Sequence, residues 1–180
     1  KIAGTAEEPL PPPLPSRVPE GNTFEERSDA LVDEGLSAER AAYIVQRESE
    51  LRFAQMQAYY EARNAENPEE RLAELQSPDE ALRAEIGEAE YEKYLKANNR
   101  STSVTVEGVM SSSPAADAGL QPGDEIVRYG GERVFNSRDL MERSMEGDGP
   151  VVVELVRDGT AMEVVIPRGP LGIEIGRRRS

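Results

Sequence analysis

Ser112-Ser113-Pro114-Ala115-Ala116-Asp117-Ala118-Gly119-Leu120-Gln121-Pro122-Gly123-Asp124-Glu125-Ile126-Val127 carries the strongest fold signal in this 180-residue chain. The Ser113 hydroxyl is suited to accept a backbone amide two or three residues on, and Pro114 has no amide to leave unpaired, so the pair opens a helical turn. Alanines at 115, 116 and 118 keep that turn thin enough to lie close against a sheet. Gly119 suits the left-handed residue that ends a helix, and Leu120 then turns into the core. Pro122-Gly123-Asp124 makes a tight turn into the strand begun by Glu125-Ile126-Val127.

Outward from this run the chain reads as short strands. Ser103 to Val109 alternates with period two and is rich in β-branched residues, and similar runs follow at Glu125 to Tyr129, Val151 to Arg157, Met162 to Ile166 and Gly172 to Ile175. Gly130-Gly131, Asp148-Gly149 and Asp158-Gly159 are turn signals between them, and Ser137 to Met145 reads as a helix.

Together these features resemble a bacterial PDZ domain. The resemblance rests on the small residues, Ala118-Gly119-Leu120 and Pro122-Gly123-Asp124 ahead of a hydrophobic strand. It extends to Gly130-Gly131-Glu132-Arg133-Val134, where such domains place a turn and a short strand. Asn136-Ser137-Arg138-Asp139-Leu140 matches the start of their groove helix, and Val153-Glu154-Leu155-Val156-Arg157-Asp158-Gly159 the hairpin after it. It covers about 103–176 and implies a partly open β-barrel of five or six strands with two helices. Such a domain holds an extended peptide between one strand and the longer helix.

Arg168-Gly169-Pro170-Leu171-Gly172-Ile173-Glu174-Ile175 is similar to the carboxylate-binding loop of that family, with Ile173 in an aromatic residue's place. In the familiar order this loop comes first; here it comes last, so the resemblance is to a circularly permuted PDZ domain. A fold whose ends lie close together tolerates such a permutation. The chemistry needs no acid or base, only convergent amide donors. Leu171, Gly172 and Ile173 are the expected donors, in a turn freed by Gly169; Pro170 has no N–H, and Arg168 adds charge. Glu174 and Ile175 are expected to pair with the ligand backbone by β-augmentation.

Helical spacing puts Ser137 and Met141 in one row with Ser144 beside them, and this row is expected to face the groove while Leu140 faces the core. Ile173, Ile175, Leu171, Leu140, Met141 and Met145 are candidates for the pocket of the ligand's last side chain, several of which must face the core instead. Ser137 or Asn136 stands where many members of the family place histidine to select Ser or Thr, so the resemblance here favours an apolar-tailed ligand. Taken alone, Gly169-Pro170-Leu171-Gly172 also reads as a plain turn between strands.

Residues 1–22 contain Pro9, Pro11, Pro12, Pro13, Pro15 and Pro19, a density that favours polyproline II and a semi-rigid tether. Residues 23–99 read as helical. Thr23 to Glu26 is a capping box, Gly35 a stop, and Ser37 caps a long helix reaching about Ala65. Asn67-Pro68 and Ser77-Pro78 each look like an N-cap followed by proline, and Ser77 to Glu80 is a second capping box. A stop at Gly87 precedes a last helix with Tyr91, Tyr94 and Leu95. The expected fold class is α+β: a helical hairpin or small bundle over 23–99, then a PDZ-like domain over 100–180. Arg47, Glu48, Glu50, Arg52 and Arg63 are assigned to the solvated face of the helices. A dimerisation arm is the alternative role for the hairpin.

A net charge of −14 opposes nucleic-acid binding, and the basic run Arg177-Arg178-Arg179 reads as a solvated chain end. The chain has neither histidine nor cysteine, which excludes Ser-His-Asp and Cys-His catalysis and thiolate metal sites. No catalytic residue, metal or cofactor is expected. No apolar run approaches the ~18 residues that span a bilayer. The chain opens on Lys1, so an upstream segment is expected, with a membrane tether through it.

The expectation is a non-enzymatic interaction module that binds a peptide C-terminus or extended segment. By resemblance it belongs in the periplasm, in a bacterial envelope complex anchored to the inner membrane. Two alternatives stay open: the regulatory, substrate-recognition part of a periplasmic or membrane protease, and a helical chaperone or assembly scaffold with a docking PDZ domain.

Overall fold

The computed structural model describes residues 23–176. The proline-rich stretch and Arg177-Arg178-Arg179 lie outside them. The chain divides into two compact units between Gly87 and Glu88.

In the first unit α1 (Phe24–Asp33) opens on the capping box: the Glu26 amide donates to Thr23 Oγ1 at 3.2 Å, and the Thr23 amide donates to Glu26 Oε2 at 2.7 Å. α2 (Ala38–Arg63) starts at Ser37, whose hydroxyl accepts from the Arg40 amide. α3 (Pro68–Ala73) follows Asn67, which makes no side-chain cap bond, contrary to its sequence signature. Pro68 at the first helical position leaves one fewer unpaired amide at that end of the helix. α4 (Pro78–Ala97) begins at the Ser77–Glu80 box and breaks at Gly87, where φ is 80° and ψ 167°. Leu31, Ala41, Ile44, Val45 and Leu82 are buried, so α1, α2 and the first half of α4 share one core.

Glu48 corrects the sequence reading of the wet face. It is only 3% exposed and takes ion pairs from Arg27 on α1 and, at 2.6 Å, from Arg52. A carboxylate leaves water at this cost only when cations and hydrogen bonds replace the solvent.

In the second unit the end of α4 is buried through Tyr91 and Tyr94, whose rings stack at 5.7 Å. Tyr91 also meets Phe135 edge-on at 5.3 Å, and Glu92 pairs with Arg133 at 2.8 Å. The strands are β1 (Val104–Val109), β2 (Glu125–Tyr129), β3 (Glu132–Arg133), β4 (Pro150–Arg157), β5 (Thr160–Pro167) and β6 (Ile173–Ile175). Two helices interrupt them, α5 (Pro114–Asp117) and α6 (Ser137–Met145). All pairings are antiparallel, in the order β5-β4-β2-β1-β6 with β3 beside β2. Val104, Val106, Ile126, Val153, Leu155 and Ile166 form the heart of the core, and Ala115, Leu120 and Leu140 seat the helices on it.

Asp124 fixes the turn into β2. It is 1% exposed, accepts from Arg157 Nε and Nη2 at 2.7 Å each, and accepts the Gln121 amide at 2.8 Å. Arg157 in turn donates to the Gly119 carbonyl at 2.9 Å. Paired charges of this kind are strong because both partners are ionised and the fork is bidentate.

Candidate functional site

The loop between β5 and β6 is seated on α5. The Ala115 amide donates to the Leu171 carbonyl at 3.0 Å, and the Met110 amide donates to the Gly172 carbonyl at 2.8 Å. The Ser113 hydroxyl, already the N-cap of α5, reaches the Gly172 carbonyl at 3.4 Å. Gly172 has φ 76°, and a Cβ there would collide with Ser113 Cβ and lie 2.8 Å from its Oγ. Both the left-handed backbone and the close approach require glycine.

This seat determines where the amides point. A trans peptide holds its C=O and N–H on opposite sides. With the Leu171 and Gly172 carbonyls turned in toward α5 and β1, the N–H groups of Gly172 and Ile173 turn outward. Gly108 pairs with Glu174, so in the antiparallel ladder Ile173 presents its amide and carbonyl to the free edge of β6. Opposite Ile175, the Val106 amide and carbonyl are already bonded to Asp124 and Gly123. Ile173 and Ile175 are half-buried against the core, and Glu174 is exposed on the opposite face.

α6 runs alongside this edge. Asn136 caps it by accepting the Asp139 amide at 3.0 Å, and Leu140 is buried. Ser137 lines an open cavity of about 1020 Å³ together with Thr105, Glu107, Asn136, Glu174 and Ile175. A second cavity, about 460 Å³, lies at the loop end of the helix between Met141, Ser144, Met145, Arg168, Gly169 and Pro170. Its two methionines are unusually exposed, Met141 at 57% and Met145 at 79%.

Most of the expected site residues therefore fall into two groups, and three of the ten depart from their expected roles. Arg168, Gly169, Met141 and Ser144 meet at the loop end; Ser137, Glu174 and Ile175 meet at the far end. Leu171 points into the core, 6% exposed, and offers the groove only its backbone. Arg168 is engaged elsewhere: Nη1 donates to the carbonyls of Arg143 and Glu146, closing the C-terminus of α6, and the guanidinium lies 5.9 Å from the Tyr129 ring centre. It bolts helix to loop. Burial pushes the Tyr129 hydroxyl's pKa up, with Arg168 opposing. The Ser144 hydroxyl is likewise spent on the Met141 carbonyl at 2.8 Å. Sequence reasoning missed Glu107, Thr105 and Pro170. Period two on β1 would have flagged Thr105 and Glu107 as outward-facing, but not the bulge between Val106 and Gly108 that adjusts their place.

Residues 105–157 match the family model described as PDZ domain; Arg168 to Ile175 lie beyond the matched stretch. Zinc metalloprotease Rip1 of Mycolicibacterium smegmatis is 40% identical over 57 residues, 32% of this chain and 14% of that protein. A Hahella chejuensis protein named "Probable periplasmic serine endoprotease DegP-like" is 38% identical over 76 residues, 41% of this chain and 16% of that protein. The chain thus spans only about a seventh of the length of these relatives. Among solved structures, the PDZ domain of the SdrC-like protein of Listeria monocytogenes is 21% identical, covering 41% of this chain and 87% of that one with a TM-score of 0.37.

Proposed function

Because the second unit carries a PDZ domain, we propose that this protein is a non-enzymatic interaction module that binds a peptide C-terminus along β6. The observation that supports it most directly is the pair of outward amides at Gly172 and Ile173, beside an unpaired strand edge and a wall of exposed methionine. In this reading the ligand carboxylate accepts from the Leu171, Gly172 and Ile173 amides, in a turn shaped by Gly169 and Gly172. The ligand backbone pairs with Ile173 and Ile175 across Glu174. Its last side chain lies against Met141, with Ser144 and Arg168 behind it, and Ser137 meets the residue two before the end. A few net hydrogen bonds at about 1 kcal/mol each, plus one apolar side chain, correspond to micromolar affinity.

Both curated relatives are named as proteases, which supports a second reading of the whole protein as the substrate-recognition part of one. One of the two is named periplasmic, which supports a periplasmic place; an inner-membrane tether is a further part of the proposal. No helix among the described residues is long and apolar enough to cross a membrane. Exposed Phe53, Met56 and Tyr60 on α2 are the surface on which the helices would pair in a dimer.

A library of peptides with free C-termini, screened against the full chain, tests the binding reading. Selected peptides should end in an apolar residue and lose binding when amidated at the C-terminus. Equal binding of acid and amide forms would remove the loop from the site. Loss of peptide binding on deleting residues 1–100 would instead favour a helical scaffold.

A further inference from the structure

The outer face of the β1–β6 edge is acidic, and strand parity places its acids. β1 exposes Thr105 and Glu107 while burying Val104 and Val106; β6 exposes Glu174 while Ile173 and Ile175 turn toward the core. Each carboxylate lies over a glycine. A Cβ at Gly176 would overlap Glu107 Oε1 and lie 2.8 Å from its Cδ, and one at Gly108 would lie 2.7 Å from Glu174 Oε2. Neither carboxylate has a hydrogen-bond or ion-pair partner among the described residues. Both line the larger cavity, in which no Lys or Arg among the described residues takes part.

A peptide paired antiparallel with β6 sets its last residue opposite Ile173 and its third-last opposite Ile175, because those two present their backbone groups to the edge. Directly opposed residues share a face of the sheet. The last and third-last side chains therefore lie over the groove. The second-last and fourth-last lie on the face of Glu174. The second-last flanks Glu174 itself; the fourth-last passes Gly176, whose missing side chain leaves Glu107 within reach of a long cation. Resting on the peptide-binding reading, we propose that the ligand carries Lys or Arg at its second-last and fourth-last positions, recognised by Glu174 and Glu107.

The same C-terminal library, with its last five residues random and the full chain as bait, separates this inference from the reading beneath it. Basic residues should be enriched at the second-last and fourth-last positions and not at the third-last. Synthetic pairs with Lys or Glu at those two positions, compared by fluorescence anisotropy, should differ roughly two- to tenfold in Kd. The difference should shrink as salt rises. In Glu107→Gln/Glu174→Gln the Kd of the Lys peptide should rise toward that of the Glu peptide. Selection of an apolar last residue without basic enrichment overturns the charge inference and leaves the groove standing, as does an unchanged preference in the double variant. No selection at the last residue overturns both.

Discussion

Replacing Gly172 by alanine attacks the seat of the loop at one atom. The backbone there is left-handed, φ 76°, which costs an alanine about 1–2 kcal/mol. The new methyl also meets Ser113 Cβ, an atom fixed to the backbone of a 7%-exposed residue that caps α5 and cannot swing aside. Forcing a methyl into such a place costs about 1–3 kcal/mol. The total, roughly 2–5 kcal/mol, is comparable to what holds the loop locally, the Ala115 and Met110 hydrogen bonds at about 1 kcal/mol each plus the burial of Leu171 at about 2–4 kcal/mol. The loop should therefore detach locally before the sheet unfolds. Amide exchange by NMR should show lost protection at Ala115 and Met110 with the β4–β5 ladder intact. A second substitution, Ser113→Gly, removes the colliding atom at a cap cost of only a few tenths of a kcal/mol. It should recover the steric part and leave the left-handed part, a coupling of about 1–3 kcal/mol in a double-mutant cycle. Gly172→Ala within about 0.5 kcal/mol of the parent, with Ala115 and Met110 still protected, would refute the reasoning.

Asp124→Asn should cost about 3 kcal/mol at neutral pH, measured by urea denaturation, because it leaves Arg157 without its carboxylate. The Arg157 hydrogen bonds, against the opposing effect of burial, hold the Asp124 carboxyl below its ordinary range, helped by the Gln121 amide. That stabilisation is complete above about pH 4 and is lost as pH falls through the depressed folded value, so the variant's stability should fall less steeply with acid than the parent's. Leu171→Ala and Met141→Ala should separate cleanly: the first lowers stability by about 2–4 kcal/mol, and the second leaves the melting temperature near the parent's while weakening apolar-ended peptides roughly three- to tenfold. The reverse pattern would mean that wall and core have been exchanged. Glu48→Gln strands two arginines and should destabilise the helical unit by about 3 kcal/mol, seen in limited proteolysis, with peptide binding unchanged.

What was legible in the sequence was what its neighbours in the chain decide. Ser113-Pro114, Gly119 and the 122–124 turn are local choices, and each stands where its chemistry puts it; so do both capping boxes and the break at Gly87. What was not legible depends on partners far along the chain. Arg168 looks like a free cation beside a carboxylate loop until α6 ends beneath it, with carbonyl partners 22 and 25 residues away. Glu48 looks solvated until Arg27 arrives from 21 residues upstream. Leu171 had equal claim to groove and core, and only the packing of α5 decided it. The loop motif and the Ser113 run are separately readable. That they form one object, joined by Gly172 and Ser113 across 59 residues, is a fact of the fold.

The place of β6 in the chain order also bears on biosynthesis. A nascent chain that has emerged as far as Pro167 already contains every other strand of the sheet, in the order β5-β4-β2-β1. The cavity beside Met141 and Met145 lacks most of its loop wall, and β1 forms a bare edge. An unpaired edge of that kind accepts foreign strands. Three residues, Ile173 to Ile175, cover that edge by pairing with β1. During translation the interval before they add to β1 is when that edge is most open to the wrong strand.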